Sequence, residues 1–221
     1  MDWSALALSL QLGAVSVALL LPVAFLLARW LAFGRFRGRG FVEALVALPL
    51  VLPPTVVGFY LLVAFGHGSW LGDAFEALSG HPLVFSFEGL VLASLLVNLP
   101  FAVQPMQNAL AAIPASVRDA ARCCGLSTTA AVRRVEIPLA LPGIATAAVL
   151  TFAHTLGEFG VVLMVGGSIP GETRTMSIAI YDRVQAFDEP AAASMALLLL
   201  VVAVAALGIT NTLARRAARR A

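Results

Sequence analysis

The chain has 221 residues, of which 60% are hydrophobic and only 12% are charged, whereas roughly 45–50% apolar residues are usual in soluble domains. Its mean hydropathy of +0.94 argues against a water-soluble monomer. The formal net charge is +2, and the chain contains no lysine. The absence of lysine excludes the P-loop signature G-x-x-x-x-G-K-[ST]. If ATP drives the function, another polypeptide must bind it.

Five long apolar stretches follow one another along the chain. They are Ala5–Ala28, Ala44–Phe65, Gly89–Ile113, Leu139–Val165 and Ala191–Ala214. Each is long enough to cross about 30 Å of hydrocarbon as a helix, which takes ~20 residues. The first is longer than the ~7–15 apolar residues of a secretory signal and follows acidic Asp2, so we expect a retained helix. The predicted fold class is all-α, a polytopic membrane protein with five transmembrane helices.

The arginines are distributed unequally between the two sides of the predicted membrane. Twelve of the 14 lie in three segments, after the first, third and fifth stretches: Arg29, Arg35, Arg37, Arg39, Arg118, Arg122, Arg133, Arg134, Arg215, Arg216, Arg219 and Arg220. The other side carries only Arg174 and Arg183, among several acidic residues. By the positive-inside rule, the arginine-rich side is cytoplasmic. The sequence thus predicts an outside N-terminus and a cytoplasmic C-terminus with a basic tail at 215–221.

Two segments within the apolar stretches favour a translocation path. Prolines in a span remove backbone donors and tend to kink a helix, which lipid-facing backbone cannot tolerate. A carboxylate in a bilayer usually faces protein or water. The predicted path residues are Pro53, Pro54, His154, Gly157, Glu158 and Gly160. The alternatives are a bent packing helix at the prolines, a hydrogen-bonded packing histidine, and an acid that reaches the outer interface from a helix end.

The sequence offers no parts for an enzyme. It has no His/Asp/Glu cluster with metal-ligand spacing, no paired carboxylates within a span and no Ser-His-Asp arrangement. Cys123 and Cys124 are neighbours, poorly placed to bridge each other or to form a four-ligand metal site. We therefore predict neither catalytic nor metal-binding residues.

The segment Ala115–Pro138 between the third and fourth stretches predicts a helical hairpin. Ser116 followed by Asp119 fits the capping-box pattern, and Gly125 stands where a helix end needs a left-handed residue. Ser127 can begin a second short helix that ends before Pro138. On these grounds alone, a plain cytoplasmic connector is the alternative to a functional element.

The same segment resembles a known family. Asp119-Ala120-Ala121, Gly125 and Val135-Glu136-Ile137-Pro138 are spaced as in the "EAA" loop of ATP-binding-cassette (ABC) importer permeases, E-A-A-x3-G-x9-I-x-L-P. Asp replaces Glu, Val replaces Ile and Ile replaces Leu. In that family the short helix docks in a groove of the ATPase subunit and transmits its closure. The coupling residues implied are Ser116, Asp119, Ala120, Ala121, Gly125, Val135, Ile137 and Pro138.

Three further segments are similar to molybdate permeases in particular: Leu48–Gly58, Leu156–Gly160 and Ile169–Thr175. The resemblance implies an ABC transmembrane type-1 domain over 5–214 with the type I permease fold, and a homodimer. It also implies a bacterial inner-membrane location, a cytoplasmic subunit that binds ATP and Mg, and a periplasmic oxyanion-binding protein. No cofactor or nucleic acid is expected on this chain. Because selection in this family is done largely by the binding protein, sulfate, thiosulfate and tungstate stay open as substrates.

Two other classes of function stay open. An ion-coupled secondary transporter is expected to show internal repeats and ionisable residues near the midplane. The halves of the chain show no repeat, and His154 and Glu158 are the only such groups. A membrane scaffold without transport would leave the proline and glycine content of the spans unexplained.

Overall fold

The computed structural model describes the backbone of residues 1–218 and the side chains of residues 1–208. All regular structure in that range is helical. The helices are α1 (Trp3–Phe33), α2 (Arg39–Val51), α3 (Pro54–Phe65), α4 (Trp70–Ser79), α5 (Phe87–Ala111), α6 (Ala115–Cys123), α7 (Thr128–Ala131), α8 (Ile137–Gly157), α9 (Gly160–Gly166), α10 (Met176–Gln185) and α11 (Glu189–Ala218). The arginines of the predicted tail at 215–221 lie outside the residues whose side chains are described.

Helices α1, α5 and α8 form the centre of the bundle. Their shared core is rich in alanine, and five fully buried alanines belong to it: Ala24, Ala28, Ala102, Ala140 and Ala147. Small side chains let membrane helices approach closely, which is how such bundles gain packing energy without a hydrophobic driving force. Helix α11 packs along α8 and α10. We call the end of the bundle that carries α6 the α6 end.

Within the described residues, four helices are long and apolar enough to cross a membrane, and a bent pair makes a fifth crossing if it is counted as one span. The bent pair is α2 and α3, which meet at 108°. The second predicted stretch is therefore not a straight helix. Leu52 is extended, as a residue before proline prefers, Pro53 is the N-cap of α3, and Pro54 occupies its first turn, where a missing N–H costs nothing.

The fourth predicted stretch is also interrupted. Helix α8 ends at Gly157, Glu158 is extended, and the short helix α9 begins at Gly160. Two of the predicted spans thus contain a break in the helix. Backbone groups freed at such breaks must be satisfied within the protein.

The segment between α5 and α8 differs from prediction at both of its ends. Helix α6 begins after Pro114 as N-cap, with no side-chain cap, so the predicted capping box at Ser116 is wrong. Ser127 does cap α7, accepting a hydrogen bond from the Ala130 amide at 3.3 Å. That second helix does not end before Pro138. It continues through a π-helical turn, Val132–Glu136, into α8, where Pro138 lies in the first turn.

Candidate functional site

Helix α6 ends in a motif that requires glycine. Gly125 has φ +76°, the left-handed conformation predicted for it. Its amide donates to the Arg122 carbonyl at 2.9 Å, and the Leu126 amide donates to the Ala121 carbonyl at 3.2 Å. This pair of bonds is the Schellman motif, which satisfies the last carbonyls of a helix. The turn reverses the chain at the tip of the α6 end.

The predicted coupling residues lie on different faces of this hairpin. Ser116, Asp119 and Ala120 are exposed on α6, where Asp119 lies 3.5 Å from Arg122. Ala121 is only 7% exposed and points back into the bundle, so the expectation that both alanines form one partner-facing surface is wrong. Of the three predicted residues nearest α8, Val135 and Ile137 are half-buried and Pro138 is exposed. The surface available for docking is therefore the Ser116–Ala120 side of α6.

A cluster that the sequence interpretation missed ties α6 to the membrane helices. Arg29 of α1 donates to the Glu136 carboxylate through Nε at 2.6 Å and through Nη2 at 3.1 Å. The Arg118 guanidinium of α6 lies over the Phe33 ring of α1, 3.9 Å from its centroid. Glu136 occupies one of the unspecified positions of the motif. Arg29 is one of the twelve arginines that indicate the cytoplasmic side, and nothing in the sequence connects it to Glu136. A pair of opposite charges 107 residues apart gives no periodic signal.

The predicted path residues meet where the two helix breaks lie side by side. Helices α3 and α9 pack against each other, and a Cβ added to Gly160 would stand 2.8 Å from the Pro54 Cβ. A Cβ added to Gly58 would stand 2.8 Å from the Met164 Cβ. These glycines are what lets the two short helices approach. The structure thus brings Pro53 and Pro54 next to the Gly157–Gly160 segment.

Glu158 is buried at this junction and holds the second break in place. Its Oε1 accepts a hydrogen bond from the Val161 amide at 3.0 Å, and its backbone carbonyl accepts one from Ser177 at 2.7 Å. Its Oε2 lies 3.7 Å from His154 Nε2. The acid therefore caps α9 within the protein and does not extend into solvent. His154 stacks on the Phe101 ring with centroids 4.2 Å apart, which connects the junction to α5.

A short polar seam continues from this junction between α5 and α8. Asn98 donates to the Thr155 hydroxyl at 3.0 Å and to the Ser94 carbonyl at 2.8 Å. Among the side chains described, the Asn98 carbonyl oxygen and the Thr151 hydroxyl are buried without a hydrogen-bond partner. Such groups occur in a membrane helix bundle mainly where helices hydrogen-bond across an interface or border water.

At the opposite end of the bundle, ion pairs join α10 to the N-terminus. Arg174 lies 3.5 Å from the Asp182 carboxylate and 4.0 Å from that of Asp2. Hydrogen bonds from the Ser4 hydroxyl, at 2.6 Å, and the Ala5 amide, at 3.0 Å, lower the pKa of Asp2 below its ordinary value of 3.8, and Arg174 adds to the effect. Both arginines on this side are paired with acids, since Arg183 lies 3.3 Å from Asp188.

Titratable groups are not arranged for metal binding in the part of the chain that the structure describes. No group of three or more His, Cys, Asp or Glu side chains could hold a metal ion there.

Comparison with known proteins identifies relatives along most of the chain. Residues 21–219 match the family described as "Binding-protein-dependent transport system inner membrane component". The molybdenum transport system permease protein of Azotobacter vinelandii is 48% identical over 187 residues, 85% of this chain and 83% of the relative. That of Escherichia coli K12 is 35% identical over 221 residues, 100% of this chain and 96% of the relative. A probable sulfate transport system permease protein of Chlorella vulgaris is 32% identical over 80% of this chain and 66% of its own length.

Solved structures with the same fold come from complete transporters. A bacterial ABC transporter involved in the import of alginate matches with a TM-score of 0.78 at 18% identity, over 96% of this chain and 78% of the other. The inward-facing MetNI methionine ABC transporter matches with a TM-score of 0.71 at 19% identity, over 98% and 94%. At such low identity these similarities establish the fold alone.

Proposed function

Because this chain belongs to the family of binding-protein-dependent transport system inner membrane components, we propose that it is the pore-forming permease of an ATP-driven importer of molybdate. The predicted type I fold of ABC importer permeases is confirmed by the two transporter structures. Family membership also makes the chain a transport subunit and not an enzyme. Which anion crosses, which partners assist and which residues act are the proposed parts.

The observation that carries molybdate as the substrate is the similarity to two molybdenum transport permeases over nearly the whole chain. Identity reaches 48% with one and spans all 221 residues with the other. The sulfate permease relative supports the wider class of tetrahedral oxyanions. Sulfate is therefore the second candidate substrate, and uptake competition distinguishes it from molybdate.

In the proposed assembly, two copies of this chain form the path, and each contacts a separate ATPase subunit that binds ATP and Mg. A periplasmic protein delivers the anion from outside. The exposed Ser116–Ala120 side of α6, followed by the Gly125 turn, supports docking of the ATPase at this end. The arginines near α6 support a cytoplasmic α6 end, with the N-terminus outside.

The two helix breaks give the proposed path a place to change shape. Short helices meeting at an angle can reorient about their ends without unwinding a full span, and hinges of this kind lie at element termini. The Pro53–Pro54 break and the Glu158 break are in contact, so movement of one requires movement of the other. We propose that these breaks border the route of the anion and that ATP-driven movement of α6 alternates its access.

Uptake in cells that lack this chain tests the proposal. Deletion should abolish high-affinity molybdate uptake and molybdoenzyme activity at trace molybdate, while millimolar molybdate restores the enzyme through other routes. If molybdate uptake stays normal while sulfate or tungstate uptake fails, then sulfate or tungstate is the substrate and molybdate is not. Uptake that persists without any ATPase partner would favour an ion-coupled secondary transporter instead.

A further inference from the structure

Side chains of α1, α6 and the π turn before α8 meet at the α6 end of the bundle. The last turns of α1 contribute Arg29 and Phe33, α6 contributes Arg118, and the π turn before α8 contributes Glu136. The Glu136 side chain is only 6% exposed, and both of its oxygens are engaged by Arg29. Arg118 completes the cluster by stacking on Phe33 one turn beyond Arg29.

The π turn explains why an acid is buried at this point. A π turn carries one more residue than an α turn and rotates the residues on either side of it relative to each other. Arg133 and Arg134 are exposed, whereas Glu136 is buried against α1. An unpaired carboxylate in that position would be strongly unfavourable. Breaking the Arg29–Glu136 ion pair is therefore costly, and we expect the pair to be kept when α8 and α1 move.

Helix α6 has few other attachments to the bundle. Most of its side chains are exposed, and only Ala121 is fully buried. The chain enters α6 through Pro114 and leaves it through the Gly125 turn. A force applied to α6 thus reaches the membrane helices along the backbone and through this cluster.

We infer that two contacts hold α6, α1 and α8 as one unit, so that displacement of α6 moves the spans: Arg118 over Phe33 connects α6 to α1, and the Arg29–Glu136 pair connects α1 to the start of α8. This inference rests on the proposed function, in which the ATPase moves α6. Arg29 and Glu136 are positioning residues in this inference, because they act by holding α1 against the start of α8. Without the pair, α6 still docks, but its movement is absorbed by local rearrangement at the end of α1.

The experiment uses the complete transporter, reconstituted in liposomes with its ATPase and binding protein. Molybdate taken up per ATP hydrolysed is measured for Glu136→Gln, for Arg29→Lys and for the charge exchange Arg29→Glu with Glu136→Arg. Arg39→Gln is the matched control, because Arg39 and Glu43 form an ion pair at 3.0 Å that lies within α2 and does not connect α1 to α8. Complex yield and Tm are recorded for every variant.

For Glu136→Gln we expect ATP hydrolysis at near the normal rate and a fall of about tenfold in molybdate per ATP, within the usual range of coupling between sites. Arg29→Lys should fall less, because lysine keeps the charge and loses the two-bonded geometry. The charge exchange should recover part of the ratio, and Arg39→Gln should leave it unchanged.

A normal ratio in Glu136→Gln would overturn the inference, and so would an equal fall in the Arg39→Gln control. Loss of folded complex in all three cluster variants would also overturn it, since the pair would then serve stability alone. Failure of the unmodified transporter to couple ATP hydrolysis to uptake would instead refute the proposed function, so the two failures are distinguishable.

Discussion

Replacing Gly125 by valine tests the turn that ends α6. The φ of +76° puts this residue in the left-handed region, and a Cβ there would meet no atom within 4 Å. The cost is therefore torsional and not steric. It amounts to roughly 1–2 kcal/mol for a residue with a Cβ, and a β-branched side chain raises it further. One or two kcal/mol changes a conformational ratio by about 5–30-fold, enough to depopulate the native turn.

The assay compares membrane-embedded protein, ATPase binding and uptake. The spans insert independently of this turn, so Gly125→Val should reach the membrane in normal amounts. The ATPase should dock weakly or hydrolyse ATP without transport. Gly125→Asn is one control, because asparagine tolerates the left-handed conformation. Gly38→Val is the matched second control, since Gly38 has φ +94° and equal free space but lies before α2.

We expect loss of uptake in Gly125→Val alone among these three variants. Crosslinking from Ala120, the exposed alanine, to the ATPase supplies an independent measurement. Normal transport by Gly125→Val, together with no crosslink from Ala120, would refute the assignment of this loop. Equal loss of uptake in Gly38→Val would show that backbone strain in another turn on the cytoplasmic side has the same effect, and that the loss is not specific to the end of α6.

Three further predictions concern topology, the helix-break junction and the opposite end of the bundle. In a variant without the native cysteines, Glu172→Cys should react with a membrane-impermeant reagent in intact cells and Arg133→Cys should not; the reverse pattern would overturn the orientation. Gly160→Ala should lower stability by roughly 1–3 kcal/mol through overpacking, whereas Gly157→Ala, with no atom within 4 Å, should not; equal melting temperatures would contradict the close approach. Because the pKa of Asp2 is lowered in the folded protein, its carboxylate contributes stability that is fully present above pH 3.8 and lost as the pH falls below that value. Asp2→Asn should therefore flatten the acid side of the profile of Tm against pH. An unchanged profile would refute this contribution.

Features that depend on local chemistry were predictable from the sequence. Apolar length identified the membrane-crossing regions, because about 20 residues are needed whatever the surroundings. Gly125 was predictable as a left-handed residue, and Ser127 as an N-cap, because both effects act within one turn of backbone. Prolines 53 and 54 indicated a break, although its angle of 108° depends on the packing of α3 against α9.

Features set by tertiary contacts were not predictable from the sequence. Ser116 fits a capping box, but the helix begins two residues earlier, with Pro114 as its N-cap, and the serine is left exposed. Ala121 was expected to face a partner and is buried instead, on the side of α6 whose Arg118 contacts Phe33 of α1. Pro138 was expected to end a helix, yet the π turn before it accommodates the ring in a first turn of α8. Glu136 had no signal, since its partner is distant in sequence.

Transport by the purified complex tests the proposed function most directly. The chain, its ATPase and the binding protein are placed in liposomes with ATP inside and labelled molybdate outside, and a non-hydrolysable ATP analogue serves as the control. We predict that molybdate accumulates only with hydrolysable ATP and the binding protein. Excess unlabelled molybdate should suppress this accumulation more than sulfate does. Molybdate accumulation that proceeds equally with the analogue, or none in a complex that hydrolyses ATP in response to loaded binding protein, would contradict the assignment.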